Sequence, residues 1–340
     1  MNAKTNQERN MAGALVLGPG RSGTSAVVQA FVAAGYFAGE EKDLHGPAPT
    51  NPLGHFESLA VMEINEELLA RFDCSWWAAA PSVDEQLPHR EEVVPRLRAA
   101  VDALTGAAGE VPVVLKDPRI NSLLPLWRPA IEGVLHPVIA VRDPLEIARS
   151  HSQMEGTSTV HALAAWEAQM TIVLQQLDGT EVTIAPYEQL TAQSQTAVEV
   201  VESASSRLGG NLGDAVRAAD AASALRSDLR NQRSDEPDYG AHLTARQMLL
   251  WEYLRALPAG RARLAPPAEL KTPSPATRGI ARAESERVRL VEAHARLVDE
   301  LARSNARAED LQGRLASIET GLSWRLTAPL RRLRALLRRR

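Results

Sequence analysis

The sequence predicts an α/β protein in which a central parallel sheet lies between two layers of helices. Short apolar runs, typical of buried strands, alternate with longer segments of helical periodicity. A parallel pair of strands needs a long crossover connection, which a helix supplies, so this alternation favours a parallel sheet. Glycine or charged residues follow the runs, and ligands bind at that carboxyl edge of such sheets. The predicted strands are 14–17, 111–115, 137–141 and 182–185, and the predicted helices are 24–34, 59–72, 145–152, 160–177 and 189–208.

Composition limits the classes of protein to consider. The chain has 340 residues, of which 44% are apolar, and this suits one large α/β domain with appendages. A net charge of −4 argues against nucleic-acid binding by the molecule as a whole. The single cysteine, Cys74, excludes a disulfide framework and argues against a zinc cluster. The polar first residues do not resemble a signal peptide, and no apolar stretch reaches the roughly 18–20 residues of a membrane span, so we expect a cytoplasmic protein.

A glycine-rich loop, Gly18-Pro19-Gly20-Arg21-Ser22-Gly23-Thr24-Ser25, joins the first predicted strand to the first predicted helix. Gly18 and Gly23 frame the Gly-x-x-x-x-Gly skeleton of a P-loop, whose glycines let backbone N–H groups approach an anion. A P-loop nucleotidase has lysine after the second glycine, whereas this chain has Thr24 and Ser25. The loop therefore predicts a P-loop-like fold with a phosphate site that does not hold ATP in the ordinary way. The alternative is a glycine-rich turn without a ligand.

Two motifs resemble those of sulfotransferases that use 3′-phosphoadenosine 5′-phosphosulfate (PAPS). The segment from Arg21 to Ser25 resembles the loop that binds the 5′-phosphosulfate of the donor. Arg142, at the end of the third predicted strand, and Ser150, eight positions later, resemble the pair that binds the 3′-phosphate. Eight residues make about two helical turns, so a phosphate could lie between the two side chains. The alternative for Arg142 is a salt bridge with Asp143 or Glu146.

Three further segments, 51–57, 115–119 and 187–190, resemble elements of bacterial, carbohydrate-type members of this family, and the resemblance covers roughly residues 14–208. It implies PAPS as the donor, 3′-phosphoadenosine 5′-phosphate (PAP) as the product, and a hydroxyl of a carbohydrate or glycolipid as the acceptor. A sulfuryl group carries less charge than a phosphoryl group, so no metal site is expected. The implied donor-binding residues are Gly20, Arg21, Ser22, Gly23, Thr24, Ser25, Arg142 and Ser150. The implied catalytic residues are Arg21 at the bridging oxygen of the donor, Lys116 at the sulfuryl group or acceptor, and Glu57 as general base with His55 as runner-up.

Structural alternatives stay open for these catalytic candidates. Glu57 could instead cap the helix that follows it, and His55 could be an ordinary loop residue. Lys116 could pair with Asp117. Residues 229–233 are the candidate for a basic loop that closes the donor site. The candidates for stacking on the adenine of the donor are Trp76, Trp77, Trp127 and Trp166, and the sequence does not choose among them.

The sequence divides the chain into five segments. Residues 1–12 are expected to be a disordered lead, 13–265 the catalytic domain, and 266–279 a proline-rich linker. Residues 280–322 carry a heptad pattern that predicts a coiled coil, and so a homo-oligomer or packing on the domain. The heptad positions are Ile280, Ala283, Arg287, Leu290, His294, Leu297, Leu301, Ser304, Ala308, Leu311, Leu315, Ile318 and Leu322.

The last segment, 323–340, has seven arginines, no acidic residue and interleaved leucines. It resembles tails that follow coiled coils in bacterial enzymes of surface-glycan synthesis. A basic amphipathic helix of this kind binds anionic membrane surfaces, which would place the protein at the inner face of the plasma membrane. The alternatives are a solvated tail and a nucleic-acid contact.

Two other functions compete with sulfuryl transfer. A P-loop kinase or nucleotide phosphotransferase would use the glycine loop for a nucleoside triphosphate, but the absent lysine argues against it. A non-catalytic adaptor would use only the coiled coil and the tail, and it predicts no nucleotide binding.

Overall fold

The computed structural model describes residues 11–47, 54–72, 74, 76, 90–224 and 238–337. The chain divides into two compact units, 1–286 and 287–340, each of which is described by itself. The predicted α/β class is confirmed for the first unit. Its strands are β1 (Gly13–Leu17), β2 (Val113–Lys116), β3 (Leu135–Val141), β4 (Glu181–Pro186) and β5 (Gly260–Arg263).

The helices follow the strands as a crossover arrangement requires. They are α1 (Thr24–Ala33), α2 (Leu59–Arg71), α3 (Arg90–Ala108), α4 (Ile120–Ile131), α5 (Pro144–Glu155), α6 (Thr159–Gln176), α7 (Tyr187–Ala192), α8 (Ser194–Ser205), α9 (Ala221–Ala224), α10 (Tyr239–His242), α11 (Ala245–Arg255), α12 (Pro275–Thr320), α13 (Leu322–Leu326) and α14 (Ala328–Leu337).

The five strands form one sheet in the order β2-β1-β3-β4-β5. The first four are parallel, so the segments that follow them begin at one edge of the sheet. β5 pairs antiparallel with β4 at the end of the sheet and was not predicted. Its short sequence alternates buried small residues with exposed Arg261 and Arg263, so it lacks the apolar run that marks the buried strands.

Side chains of β1 alternate between two separate cores, one on each face of the sheet. Leu15 and Leu17 pack in a core that contains Trp127 of α4, whereas Ala14 and Val16 pack in a core that contains Phe31 of α1. Burial on both faces is what a parallel sheet between two helical layers requires, and it explains why its strands are apolar throughout.

The predicted helices are present with small shifts at their ends, except that 189–208 is two helices. Gln193 has an extended backbone and separates α7 from α8. Helices α3 and α4 were not predicted, because Pro95 in the first and Pro125 and Pro129 in the second conceal the helical pattern.

The segment 266–279 differs from the expected linker, since it packs on the α/β unit. Leu270 is fully buried in the core that contains Trp127. Glu167 of α6, also fully buried, accepts hydrogen bonds from Ser274 N at 2.8 Å and from Thr277 Oγ1 at 2.6 Å. The prolines therefore lead the chain across the surface of the unit and into the first turn of α12.

The second unit contains most of α12 and all of α13 and α14. The predicted long helix is present, and its heptad leucines and isoleucine are exposed: Leu290, Leu297, Leu301, Leu311, Leu315 and Ile318. Oligomerisation through this face stays a prediction. Within the described part of the chain, none of the helices has the length and apolarity that crossing a bilayer requires.

Candidate active site

The glycine loop begins where β1 ends, and Asn121 fixes its first residue. The Asn121 amide oxygen accepts a hydrogen bond from Gly18 N at 2.8 Å, and its Nδ2 donates to Gly18 O at 2.7 Å and to Pro118 O at 2.8 Å. Asn121 is fully buried in α4. Asn121 was not among the predicted site residues, although a polar side chain in a mostly apolar helix is a usable signal.

The loop has a conformation that glycine permits and most residues resist. Gly18 and Gly23 have φ of 146° and 89°, and Arg21 has a left-handed φ of 71°. A Cβ at Gly23 would lie 2.2 Å from the ring of Tyr187, which follows β4. Gly23 also caps α1 without a side-chain hydrogen bond, so the backbone N–H groups of the first turn are suited to bind an anion.

The hydroxyls predicted to bind phosphate lie in this loop and its first helical turn. Ser22 is fully buried, and its Oγ has no hydrogen-bond partner in the part of the chain that the structure describes. Thr24 is buried and Ser25 is partly exposed, with Ser25 Oγ 3.5 Å from the carbonyl oxygen of His55. The Ser22 hydroxyl lies under the loop beside Gly18, where it is covered by protein.

Arg21 joins the two predicted phosphate motifs. Its Nε donates to Ser150 Oγ at 2.9 Å, and Arg142 Nη1 donates to the Arg21 carbonyl at 2.9 Å. The structure thus brings the loop after β1 together with both residues of the pair after β3. Arg142 also bonds Glu146 through Nη2 at 3.0 Å and Nε at 3.2 Å, so the salt bridge considered as an alternative is present beside the loop contact. The guanidinium lies 4.4 Å from the ring centre of Tyr187.

Glu57 and Lys116 form a buried ion pair, and Arg119 adds a second cation at 3.3 Å from Glu57 Oε2. Burial raises the pKa of Glu57, but the nearby Lys116 and Arg119 outweigh it and hold that pKa below its ordinary value. The structure does not contain the contacts that were considered as alternatives for Lys116 and Glu57. Asp117 bonds Arg119 at 3.1 Å rather than Lys116, and the helix after Glu57 is capped by Ser58.

His55 lies beside this ion pair, and a second histidine stacks on it. The rings of His45 and His55 are 4.4 Å apart and nearly parallel, and His45 Nδ1 is 3.9 Å from Glu57 Oε2. Lys116 Nζ donates to the His55 carbonyl at 3.3 Å. Burial lowers the pKa of His55 to about 4, so its ring is neutral at pH 7. Phe56, between His55 and Glu57, has a left-handed φ of 57°, a strained value for a bulky residue that often marks a functional segment.

The tryptophans differ in their relation to the loop. Trp127 is a core residue, because it is fully buried and its Nε1 donates to Asn65 Oδ1 at 2.8 Å. Trp76 contacts the loop, since a Cβ at Gly20 would lie 2.8 Å from its ring. Trp166 is buried beside the same side of the loop. Trp77 and residues 229–233 lie outside the described residues, so the predictions for them have no structural outcome.

Among the described residues there is no group of three or more histidine, cysteine or acidic side chains arranged to hold a metal ion.

Comparison with known proteins finds similarity in fold but no matching family. No family model matches the chain. No curated protein matches it either. Two solved structures are similar in fold. The "Sulfotransferase Domain from the Curacin Biosynthetic Pathway" has 14% sequence identity and a TM-score of 0.40, and the match covers 72% of this chain and 98% of that one. The "Sulfotransferase Domain from the Synechococcus PCC 7002 Olefin Synthase" has 13% identity and a TM-score of 0.35, with 81% and 95% covered. At these values the two similarities carry no argument about the chemistry of this chain.

Proposed function

We propose that the α/β unit is a sulfotransferase that moves a sulfuryl group from PAPS to a hydroxyl of a carbohydrate or glycolipid. The observation that carries the proposal is the meeting of two anion-binding motifs at Arg21. Arg21 belongs to the glycine loop, bonds Ser150 through its side chain, and accepts a bond from Arg142 through its carbonyl. A donor with phosphate on both its 5′ and 3′ positions needs two such motifs side by side, whereas ATP needs one.

The loop residues suit the 5′-phosphosulfate. The N–H groups at the start of α1 and the hydroxyls of Thr24 and Ser25 are donors of the kind that bind phosphate oxygens. Gly20 and Gly23 allow the loop to pass close to the rings of Trp76 and Tyr187, which a Cβ at either position would meet. Arg142 and Ser150 suit the 3′-phosphate, and Glu146 holds the Arg142 guanidinium in a fixed orientation.

Sulfuryl transfer requires a base for the acceptor proton and a cation for the leaving oxygen. The acceptor oxygen forms a bond to sulfur as the bond from sulfur to the 5′-phosphate oxygen breaks, and PAP leaves with the electron pair. We propose Arg21 as the cation at that oxygen and Glu57 as the base. Lys116 neutralises Glu57 in the resting state. Movement of the Lys116 ammonium toward the sulfuryl oxygens would raise the pKa of Glu57 as Glu57 takes the proton of the acceptor hydroxyl. His55, which is neutral at pH 7, is the second candidate for the base.

Ligand-induced thermal stabilisation tests the choice of donor, because a ligand that binds the folded state raises the melting temperature. We expect PAP to stabilise the protein more than ATP with magnesium does. Arg21→Ala and Arg142→Ala should each raise the Kd for PAP at least tenfold and so reduce the stabilisation by PAP. Arg217→Ala, on the exposed surface, should leave the Kd unchanged. Stronger stabilisation by ATP with magnesium would favour a phosphotransferase, and stabilisation by neither ligand would favour a non-catalytic adaptor.

We also propose that the basic tail binds an anionic membrane surface, which would bring the enzyme to lipid-linked acceptors. Leu322, Leu326, Leu330 and Leu337 of α13 and α14 are exposed among arginines, and the Arg331 guanidinium lies 3.6 Å from the ring centre of Trp324. Sedimentation with vesicles tests this proposal. We expect binding to vesicles that contain phosphatidylglycerol, release by salt, and none to phosphatidylcholine alone. Equal binding to both vesicle types, or to neither, would overturn it.

A further inference from the structure

Helix α5 begins at a capping residue that a distant tyrosine contacts. Asp143 is the cap, since its Oδ1 accepts hydrogen bonds from Leu145 N at 2.8 Å and from Glu146 N at 3.2 Å. Its second oxygen, Oδ2, accepts a hydrogen bond from the hydroxyl of Tyr239 in α10, 96 positions away along the chain. The backbone N of Asp143 donates to Glu188 Oε1 at 3.0 Å. Asp143 is therefore bound by its own helix and by two other segments.

The contact between Tyr239 and α5 has an apolar part and a polar part. The ring of Tyr239 packs against the cluster of buried residues that contains Leu145 and Ala148 of α5. The residue is partly exposed, so water could satisfy its hydroxyl, yet the hydroxyl bonds a buried carboxylate. Burial and the bond to Asp143 raise the pKa of Tyr239, so the hydroxyl keeps its proton at pH 7 and is the donor of this bond. A hydrogen bond to a carboxylate is stronger than one between neutral groups, so Tyr239 fixes the orientation of the cap.

The first turns of α5 carry the groups proposed for the 3′-phosphate of the donor. Glu146 Oε2 accepts hydrogen bonds from Arg142 Nη2 at 3.0 Å and from Arg142 Nε at 3.2 Å. Ser150 lies four positions after Glu146 and therefore on the same face of the helix. Arg142 directly follows β3, whereas Ser150 lies on α5, so a tilt of the helix would change the distance between these two side chains. Hydrogen bonds weaken steeply with distance and angle, so a phosphate between the two side chains requires a fixed helix.

We propose that Tyr239 is a positioning residue for the 3′-phosphate and so determines the preference of the site for a 3′-phosphorylated nucleotide. It acts through Asp143, which sets the first turn of α5. We assign the 5′-phosphosulfate to the glycine loop, which follows a different strand, so recognition of a 5′-phosphate should depend much less on this bond. The inference rests on the proposed function and names a residue that sets the donor specificity of that site.

The test compares two nucleotides on the full chain and on Tyr239→Phe, which removes the hydroxyl and keeps the ring. PAP carries both phosphates, whereas adenosine 5′-phosphate lacks the 3′-phosphate. We expect Tyr239→Phe to raise the Kd for PAP by roughly fivefold or more, and to leave the Kd for adenosine 5′-phosphate within about twofold. Isothermal titration calorimetry measures both constants, and urea unfolding checks that the variant is folded. Tyr253→Phe is the matched control, because it removes a hydroxyl that accepts a bond from Ala265 N at 3.1 Å, and it should change neither constant.

A double-mutant cycle tests whether Tyr239 acts through Arg142. If it does, Tyr239→Phe should change the Kd for PAP by less than about twofold in an Arg142→Ala background, because the group that it positions is absent there. Equal effects of Tyr239→Phe in the two backgrounds would overturn the inference.

The two nucleotides also separate the possible failures. An unchanged Kd for PAP, or equal increases for both nucleotides, would leave Tyr239 with a structural role alone and overturn the inference without affecting the proposed function. An unmodified protein that binds the two nucleotides equally well would overturn the assignment of the 3′-phosphate to Arg142 and Ser150, and the inference with it. An unmodified protein that binds neither nucleotide would overturn the proposed function itself.

Discussion

Gly23 is the residue at which the glycine loop, the strand edge and helix α1 meet. It needs a left-handed φ of 89°, and any Cβ there would lie 2.2 Å from the ring of Tyr187. We therefore expect Gly23→Ala to combine backbone strain with a steric clash and to lower the free energy of unfolding by about 2–5 kcal/mol. Displacement of Tyr187 would also disturb Arg142, which stacks on the same ring. Urea unfolding and PAP titration would measure the two effects.

Gly133→Ala is the matched control for Gly23→Ala. Gly133 has a left-handed φ of 72°, but an added Cβ would meet no atom within 4 Å. Its substitution should cost only the strain, about 1 kcal/mol, and leave PAP binding unchanged. If both substitutions lower the free energy of unfolding equally, the packing of Tyr187 against the loop is not the reason that position 23 requires glycine.

The buried carboxylate of Glu57 should make the stability of the protein depend on pH. Its pKa is lowered by Lys116 and Arg119 despite burial, so the charged form contributes stability above the ordinary pKa of 4.5. This contribution is lost as the pH falls through the lower pKa of the folded state. Glu57→Gln removes the carboxylate that pairs with the buried Lys116, whereas Arg119 keeps Asp117 and Glu66, so we expect a loss of about 3–5 kcal/mol at pH 7. The difference between the two proteins should begin to shrink below about pH 4.5, where Glu57 is protonated in the unfolded chain, and should be lost at lower pH, where Glu57 is protonated in the folded protein as well.

Glu67→Gln separates the effect of burial on stability from the effect of ion pairing, because Glu67 also binds two cations but lies at the surface. Its carboxylate is 2.8 Å from Arg96 and 2.5 Å from Arg71, and hydrogen bonds with these two arginines lower its pKa to about 2. Solvent screens this exposed group, so its substitution should have a much smaller effect at pH 7. Equal losses in unfolding experiments on the two variants would contradict the role assigned to burial.

The sequence was informative about which side chains lie where strands end, and less so about the partners of those side chains. Residues at the ends of β1 and β3 were expected to meet, and Arg21, Arg142 and Ser150 do. Pairing with Asp117 was the alternative considered for Lys116, yet Lys116 pairs with Glu57 and Asp117 pairs with Arg119. His45 and Asn121 were not predicted. Asn121 is a polar residue in a mostly apolar helix, but its partner Gly18 lies 103 positions away. His45 lies in a loop without periodicity, where it contacts His55 and Glu57.

At the scale of elements, the first turn of α12 depends on a buried carboxylate rather than on the prolines before it. The proline content of 266–279 indicated a linker, but Glu167 on α6 lies beneath the segment and binds both Ser274 and Thr277. Proline content reports the stiffness of a chain and not whether a surface lies below it. A contact between residues more than a hundred positions apart is beyond the reach of local pattern.

Thr277→Val tests this anchor, since valine keeps the shape of threonine and removes the hydroxyl. Thr277 is 1% exposed and donates to a buried carboxylate, so we expect a loss of about 1.5–3 kcal/mol in the free energy of unfolding. Amide hydrogen exchange should become faster at residues 274–281 before it changes elsewhere. Thr320→Val, at the exposed end of the same helix, removes a hydroxyl that bonds only its own helix, and should leave exchange at 274–281 unchanged. Unaltered exchange in Thr277→Val would show that the packing of Leu270 alone holds the segment.

At the scale of the whole molecule, the exposed heptad face of α12 predicts self-association. Leu297 and Leu301 are 64% and 62% exposed, and burying each leucine against a second copy would contribute roughly 1.5–3 kcal/mol. Arg287, His294 and Ser304 interrupt the apolar seam, so we expect a dimer that dissociates on dilution rather than a permanent one. Analytical ultracentrifugation over a range of protein concentrations should show this equilibrium. Leu297→Glu with Leu301→Glu should give a monomer that binds PAP as before, whereas Ala295→Glu with Ala302→Glu, outside the seam, should still dimerise. An unmodified chain that stays monomeric at high concentration would contradict the coiled coil, and a dimer that survives the leucine substitutions would assign the interface to another surface.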